Sequence, residues 1–208
     1  MKKLALFLMV AAMSATTVSA QPGSSKSSLL FSNASLPADA RYELKSGIIK
    51  FEGVARGIKG EVTQYFDDYG KKLAAVSVVG QELEKKEVKI IQFEDTIYSI
   101  IEKIGLKRAL PEKAINYLQL TPDVIEKYKI QDLGEETVAG KSCKKYSLEV
   151  TQMGQTVKTE VCVWKGIALK SVTKSGDKEI ENQTATEVQE NVEVDPKEFE
   201  VPEGVSFM

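Results

Sequence analysis

The sequence predicts a mainly β protein of the α+β class, in which about ten antiparallel strands form a meander that one short helical insert interrupts. Three observations support this prediction. Stretches rich in β-branched and aromatic residues recur at near-regular spacing, tight-turn residues separate them, and a capped helical pattern stands between two series of strands. The regular alternation of strands and helices that a parallel sheet requires does not occur.

Each series contains five predicted strands, and turn residues separate them. The first series covers residues 42–54, 60–67, 72–80, 88–94 and 96–103, and the second covers 131–138, 142–151, 156–164, 168–174 and 179–192. Asp67-Asp68-Tyr69-Gly70 and Lys165-Gly166 are typical of hairpin turns, since glycine adopts positive φ without steric cost. Neighbouring strands are therefore expected to pair as hairpins.

The helical signal begins at Thr121. Its hydroxyl can cap a helix, Pro122 suits the first helical position, and apolar residues follow at helical spacing. A second short helix is predicted within 111–120. A further helical turn is predicted at 195–199, where it would place Phe199 in the core.

The strands between residues 73 and 101 are apolar on both faces. A sheet of this kind needs a cover on its second face, and we expect the insert at 111–128 to supply it. A space between insert and sheet would form an apolar ligand pocket. The candidate ligand-binding residues are Tyr65, Val78, Ile91, Phe93, Tyr98, Ile100, Ile125 and Tyr128.

The N-terminus is typical of an export signal. Lys2 and Lys3 precede an apolar run at 4–12, and small residues end at Ala20, after which we expect cleavage. Residue 21 is not the cysteine of a lipid-anchored form. We therefore predict a signal peptide at 1–20, a flexible lead-in at 21–39, one β-rich domain at 40–208, and a periplasmic or secreted protein.

Composition argues against several functions. The chain contains no histidine, which removes the commonest general base and the commonest transition-metal ligand. A net charge of −2 without a basic cluster argues against nucleic-acid binding. The apolar run at 4–12 is about half the length of a membrane-spanning helix. We expect no enzyme activity, metal, cofactor or membrane span.

The two cysteines, Cys143 and Cys162, fall on the two arms of one predicted hairpin. In an oxidising compartment such an even pair most simply forms a disulfide. Two buried free thiols and a redox pair are the alternatives. A redox role is disfavoured because no helix start is present to lower a thiol pKa.

Four segments resemble exported bacterial proteins of unknown function that are similar to the LolA/LolB-like superfamily, which sorts outer-membrane lipoproteins. They are 65–72 (Tyr-Phe-Asp-Asp-Tyr-Gly-Lys-Lys), 139–146 (Ala-Gly-Lys-Ser-Cys-Lys-Lys-Tyr), 163–170 (Val-Trp-Lys-Gly-Ile-Ala-Leu-Lys) and 199–205 (Phe-Glu-Val-Pro-Glu-Gly-Val). The likeness spans roughly residues 40–207. It implies a curved antiparallel half-barrel with helices on its concave apolar side, and a non-enzymatic module that shelters a lipid or acyl chain.

Three functions follow as hypotheses. The first is an exported binding or carrier-type module that holds a lipid or another apolar small molecule between sheet and helical insert. The alternative is a cell-envelope protein–protein interaction module without a small ligand. The third is a hydrolase that uses carboxylates, which requires two acids within about 10 Å in a pocket.

Overall fold

The computed structural model describes residues 15–16, 36–79, 86–93, 95–109, 113–152 and 155–208 of the chain. Most of the predicted signal peptide and of the lead-in lies outside the described residues, as do residues 80–85, 94, 110–112 and 153–154. None of the helices in the described part is long and apolar enough to cross a membrane.

Fourteen strands and one α-helix make up the described structure. The strands are β1 Ala15–Thr16, β2 Gly47–Ala55, β3 Ile58–Asp67, β4 Lys72–Val79, β5 Lys86–Phe93, β6 Thr96–Ile101, β7 Ile104–Ala109, β8 Lys113–Ala114, β9 Gln131–Val138, β10 Lys141–Gln152, β11 Gln155–Trp164, β12 Ile167–Ser175, β13 Lys178–Glu190 and β14 Ser206–Phe207. The helix is α1, Pro122–Tyr128.

Twelve of the strands form one curved open sheet in the order β14-β7-β6-β5-β4-β3-β2-β13-β12-β11-β10-β9. All neighbours are antiparallel except β14, which runs parallel to β7. β1 and β8 form a separate two-residue pair. The mainly β antiparallel prediction is confirmed, and β1, β7, β8 and β14 are strands that the sequence pattern did not indicate.

The register from β2 to β7 contains no bulge, so each row of directly paired residues lies on one face. One row runs Ile49–Gln64–Ala75–Ile90–Ser99 and defines the inner face. The neighbouring row on the opposite face, the outer face, runs Tyr65–Ala74–Ile91–Tyr98. Both faces of the central strands are apolar, as predicted.

Residues 40–46, which we call the N-terminal segment, do not extend β2 as predicted but cross the end of the sheet. Glu43 N–H donates to Lys165 O at 3.1 Å, and Tyr69 N–H donates to Lys45 O at 2.9 Å. Tyr42 and Leu44 are buried in the largest apolar cluster, with Ile49, Phe51 and Phe66 on the inner face. The segment is irregular because it bridges two turns.

The helix begins as predicted. Thr121 Oγ1 accepts a hydrogen bond from Val124 N–H at 3.4 Å, and Pro122 is the first helical residue. Leu148, Val157 and Val161 share a cluster with buried Tyr128 and half-buried Val124. The helix therefore covers β10 and β11, and not the central strands that we expected it to cover.

The second predicted helix, at 111–120, is wrong for the described residues 113–120, which contain β8 followed by a turn. Asn116 explains the difference. Its Oδ1 accepts from Leu118 N–H at 3.0 Å, and its Nδ2 donates to Ala40 O at 2.8 Å. The local bond to Leu118 competes with helix formation, and the bond to Ala40 fixes the turn against the N-terminal segment.

The outer face of the central strands is covered by residues 195–208, which we call the C-terminal strap. The predicted helical turn is a 3₁₀-helix, Pro196–Phe199. Half-buried Phe199 and Val205 pack against Ala74, Ile91 and Ile100. The strap thus supplies the cover that we expected from the helical insert.

The predicted disulfide is confirmed: Cys143 and Cys162 are bonded, with their Cα atoms 5.4 Å apart. The register pairs Cys162 with Lys145, so Cys143 lies two residues along β10 from the direct partner of Cys162. Diagonal neighbours on one face of a twisted sheet come close enough for this bond. Both cysteines are buried.

Candidate functional site

The structure brings four of the eight candidate residues together. Tyr65, Ile91, Tyr98 and Ile100 belong to one cluster on the outer face, and the C-terminal strap packs against it. The ring of Phe207 meets the Tyr98 ring edge-on at 5.8 Å between centroids. The group is therefore an ordinary packed layer beneath the strap.

The other four candidates lie elsewhere. Val78 and Phe93 are on the outer face but 41% and 49% exposed. Ile125 and Tyr128 lie on α1, where Ile125 is 41% exposed and Tyr128 is buried against β10 and β11. No common pocket of the described residues unites all eight.

One small cavity lies between the N-terminal segment, the 115–120 turn and the inner face. Its volume is about 30 Å³, roughly the space of one or two water molecules. The lining residues are Arg41, Tyr42, Gln64, Ile115, Tyr117, Gly166, Ile167 and Ala168. A lipid chain does not fit this space.

The tyrosines beside this cavity remain neutral. Burial raises the pKa of Tyr117 and of Tyr42 above the ordinary value. The Tyr117 ring stacks on Tyr146 with 6.3 Å between centroids, and Gln64 Nε2 lies 3.4 Å from Tyr42 OH. These contacts fasten the 115–120 turn and the N-terminal segment to the sheet.

A second apolar group lies on the inner face of β5 and β6, which we call the β5–β6 inner patch. It consists of Val88, Ile90, Ile97 and Ile101. The described residues that pack in this cluster all lie on β5 and β6, whereas each larger cluster includes residues from segments outside the sheet.

Two polar side chains lie within the β5–β6 inner patch. Gln92 and Ser99 are 5% and 6% exposed, yet Gln92 Oε1 and Ser99 Oγ have no hydrogen-bond partner. Buried polar groups are nearly always paired. The candidate residues predicted on the sheet all lie on the opposite face, although the alternation Ile97–Ser99–Ile101 indicates a face of its own.

Charged groups concentrate around the disulfide. Glu136 on β9 forms ion pairs with Lys145 and Lys170, and Lys145 also pairs with Glu160 at 3.0 Å. The bond from Lys145 holds the pKa of Glu160 below its usual value. These pairs join four strands on the face that carries Cys162.

Glu181 on β13 is the one described carboxylate whose pKa rises to about 7. Burial is the main cause, and the positive charge of Arg56 opposes it. No group of three metal-binding side chains converges among the described residues. Nothing else around Glu181 distinguishes it as a site.

This architecture, a curved open antiparallel sheet with one short helix, confirms the fold that the LolA/LolB-like resemblance implied. The chain belongs to the family described as "Domain of unknown function (DUF4412)", which matches residues 46–195. No curated protein matches the chain.

Three solved structures are similar. An uncharacterized conserved protein from Thermus thermophilus is 10% identical with a TM-score of 0.54, over 81% of this chain and 94% of that one. The Pseudomonas aeruginosa MucA/MucB complex is 14% identical with a TM-score of 0.50, over 81% and 59%. A crystal structure of MucB is 13% identical with a TM-score of 0.49, over 80% and 60%.

This chain thus spans about 60% of the length of the MucB chains that it matches. At these identities the likeness to the solved structures shows the fold alone.

Proposed function

We propose that the protein is an exported, non-enzymatic binding module that holds an apolar small molecule against the β5–β6 inner patch. The observation that carries the proposal is this patch, whose described members all come from two neighbouring strands. Val88, Ile90 and Ile97 are only 3%, 5% and 8% exposed, so a ligand reaches them only by displacing what shields them. In this proposal it then supplies the second layer that an apolar sheet face needs to exclude water.

The energetics suit such a ligand. Burying about 200 Å² of hydrocarbon surface would contribute about 5 kcal/mol at roughly 25 cal/mol per Å². A few polar groups within an apolar wall then fix orientation, a role that Gln92 and Ser99 fit. The Cys143–Cys162 disulfide agrees with an oxidising compartment outside the cytoplasm.

The test is binding of the apolar fluorescent probe 1-N-phenylnaphthylamine. The protein is expected to enhance probe fluorescence saturably, and Ile90→Trp to abolish this because the larger side chain fills the patch. Ile101→Trp, at a half-buried position that tolerates the change, is the second variant. Ile58→Trp, at the first residue of β3, which is 38% exposed, is the control. Equal binding by all the proteins would refute the site.

A second function, a protein–protein module of the envelope, is favoured by the open sheet. β9 is the last strand at one edge, and its Leu133 is 45% exposed. Unpaired edges can add a strand from a partner, and the similar MucB has been solved as a MucA/MucB complex. The test is a pull-down with the lipid-free protein. Stoichiometric recovery of one envelope protein, and loss of that protein with Leu133→Lys, would favour this function.

A further inference from the structure

The small cavity beside the N-terminal segment is formed by four parts of the chain that are distant in sequence. Its polar side chains are Arg41 and Tyr42 of the N-terminal segment, Gln64 of β3 and Tyr117 of the 115–120 turn, and residues 166–168 close it from the start of β12. Tyr42 and Gln64 are buried, whereas Arg41 and Tyr117 are half-buried. The cavity therefore has a buried floor and a rim that reaches solvent.

Backbone contacts fix the position of Arg41 at this rim. Its N–H donates to Tyr69 O at 3.0 Å, and the preceding carbonyl, Ala40 O, accepts from Asn116 Nδ2 at 2.8 Å. Gly166 lies so close that a Cβ atom added to it would be 2.3 Å from Arg41 O. The arginine side chain thus extends from a backbone that is held on several sides.

Arg41 brings a positive charge to the cavity. Its guanidinium forms neither an ion pair nor a hydrogen bond with any residue in the described ranges. The carboxylate of Asp39, two residues earlier, pairs with Lys71 at 3.1 Å instead. Burial raises the pKa of the Tyr42 hydroxyl, and the nearby charge of Arg41 lowers that pKa in part. An anion beside Tyr42 would therefore meet a cation that the described residues leave unpaired.

Two phenol hydroxyls can donate to the same anion. Burial raises the pKa of both Tyr42 and Tyr117, so both hydroxyls keep their protons at neutral pH. Tyr42 OH accepts from Gln64 Nε2 at 3.4 Å, and this bond does not use the phenol proton. Tyr117 OH forms no hydrogen bond with a residue of the described part. Both protons can thus serve an acceptor in the cavity.

The size of the cavity favours a carboxylate group. Its volume of about 30 Å³ is roughly the space of one or two water molecules, which the two oxygens of a carboxylate can occupy while the rest of the molecule extends through the rim. A guanidinium binds a carboxylate through two parallel hydrogen bonds. The carboxylate oxygens have further lone pairs for the phenol protons.

We propose that this cavity is a second binding site, which binds the carboxylate group of a ligand. Arg41 pairs with the carboxylate, and Tyr42 and Tyr117 donate to its oxygens. The carboxylate belongs either to a small organic acid or to the C-terminus of a peptide, and the experiment distinguishes these two sources. The inference does not rest on the proposed function, because the β5–β6 inner patch consists of other residues.

The test is titration of the ¹⁵N-labelled mature protein, followed by the amide signals of residues 166–168 in NMR spectra. The ligands are sodium acetate, N-acetyl-alanyl-alanine and acetamide, at an ionic strength held constant with sodium chloride. Acetate or the dipeptide is expected to shift these signals saturably, and acetamide, which has no charge, is expected to leave them unchanged. Tighter binding of acetate would assign a small acid, and tighter binding of the dipeptide would assign a chain terminus.

Arg41→Gln is expected to weaken carboxylate binding about tenfold or more. Lys45→Gln is the matched control, because Lys45 is an exposed cation of the same segment that does not line the cavity. Tyr117→Phe is expected to weaken binding severalfold while thermal unfolding stays near that of the wild type, since the ring keeps its stack on Tyr146.

Three results would overturn the carboxylate site. They are the lack of a saturable shift with either carboxylate, shifts of equal size with acetamide, and undiminished binding by Arg41→Gln. None of these results would alter the binding of the fluorescent probe to the β5–β6 inner patch, so the two proposals fail separately.

Discussion

Gly166 lies in the turn between β11 and β12, against the N-terminal segment. A Cβ atom added to it would lie 2.3 Å from Arg41 O, a backbone atom. In the same segment, Glu43 N–H donates a hydrogen bond to Lys165 O of this turn. Gly166→Ala therefore forces the N-terminal segment away from the sheet, or forces the turn to open.

Gly140, in the turn between β9 and β10, provides a matched control. Both glycines have positive φ, +83° at Gly166 and +73° at Gly140, but no atom lies within 4 Å of a Cβ built at Gly140. Alanine in this conformation costs about 1 kcal/mol. Gly140→Ala is thus expected to lower the free energy of unfolding by about that amount and no more.

The additional cost at Gly166 comes from the side chains that the N-terminal segment buries. Tyr42 and Leu44 are 8% and 4% exposed. Full burial of each contributes about 1.5–3 kcal/mol. Loss of half of that contribution at both residues therefore costs about 1.5–3 kcal/mol. Together with the conformational cost of about 1 kcal/mol, Gly166→Ala is expected to lower the free energy of unfolding by about 2.5–4 kcal/mol.

The assay is equilibrium unfolding in urea, followed by circular dichroism. Tyr42→Ala in the Gly166→Ala background completes a double-mutant cycle, in which the second loss is expected to be smaller than in the wild type. Equal losses for Gly166→Ala and Gly140→Ala, or strict additivity with Tyr42→Ala, would show that the segment does not pack as described.

Three further changes test other parts of the structure. Replacing both Cys143 and Cys162 with alanine is expected to lower the free energy of unfolding by about 3 kcal/mol, the loop entropy of a bond across 19 residues. Dithiothreitol should destabilise only the wild type, and an equal effect on the variant would contradict this prediction. The folded pKa of Glu181, about 7, exceeds its ordinary value of 4.5, so the free energy of unfolding is expected to fall as pH rises between these values. Urea unfolding should show Glu181→Gln to be more stable than the wild type by about 1–2 kcal/mol at pH 8 and almost equally stable at pH 4. Phe199→Ala should lower the free energy of unfolding by about 2 kcal/mol in the same assay, because a half-buried contact with the outer face disappears. An unchanged free energy would mean that the strap does not stabilise the sheet.

The hairpins were predictable because their signals are local. Lys165-Gly166 and Ala139-Gly140 are two-residue turns in which both residues have positive φ, the backbone that a tight hairpin needs. The helix start at Thr121 was equally local, since a hydroxyl and a proline specify it. Strand β7, which lies between β6 and the edge strand β14, was missed because Gly105 and the cations after it do not give a strand pattern.

The covering segments were not predictable, because their contacts are distant in sequence and have no period. The pattern correctly indicated two apolar faces, but not which segment would cover each. Phe199 reaches Ala74 and Ile91 from more than one hundred residues away, and no helical or strand alternation marks that contact. This also explains the candidate residues: most were chosen on the face that the C-terminal strap covers.

The central claim is that the β5–β6 inner patch holds an apolar ligand. Native mass spectrometry of the protein, purified from its own cell envelope without detergent, tests this most directly. The expected result is one bound small molecule per chain, present in the wild type and in Ile58→Trp and missing from Ile90→Trp. A spectrum of bare polypeptide for the wild type, unchanged after incubation with envelope lipids, would contradict the claim.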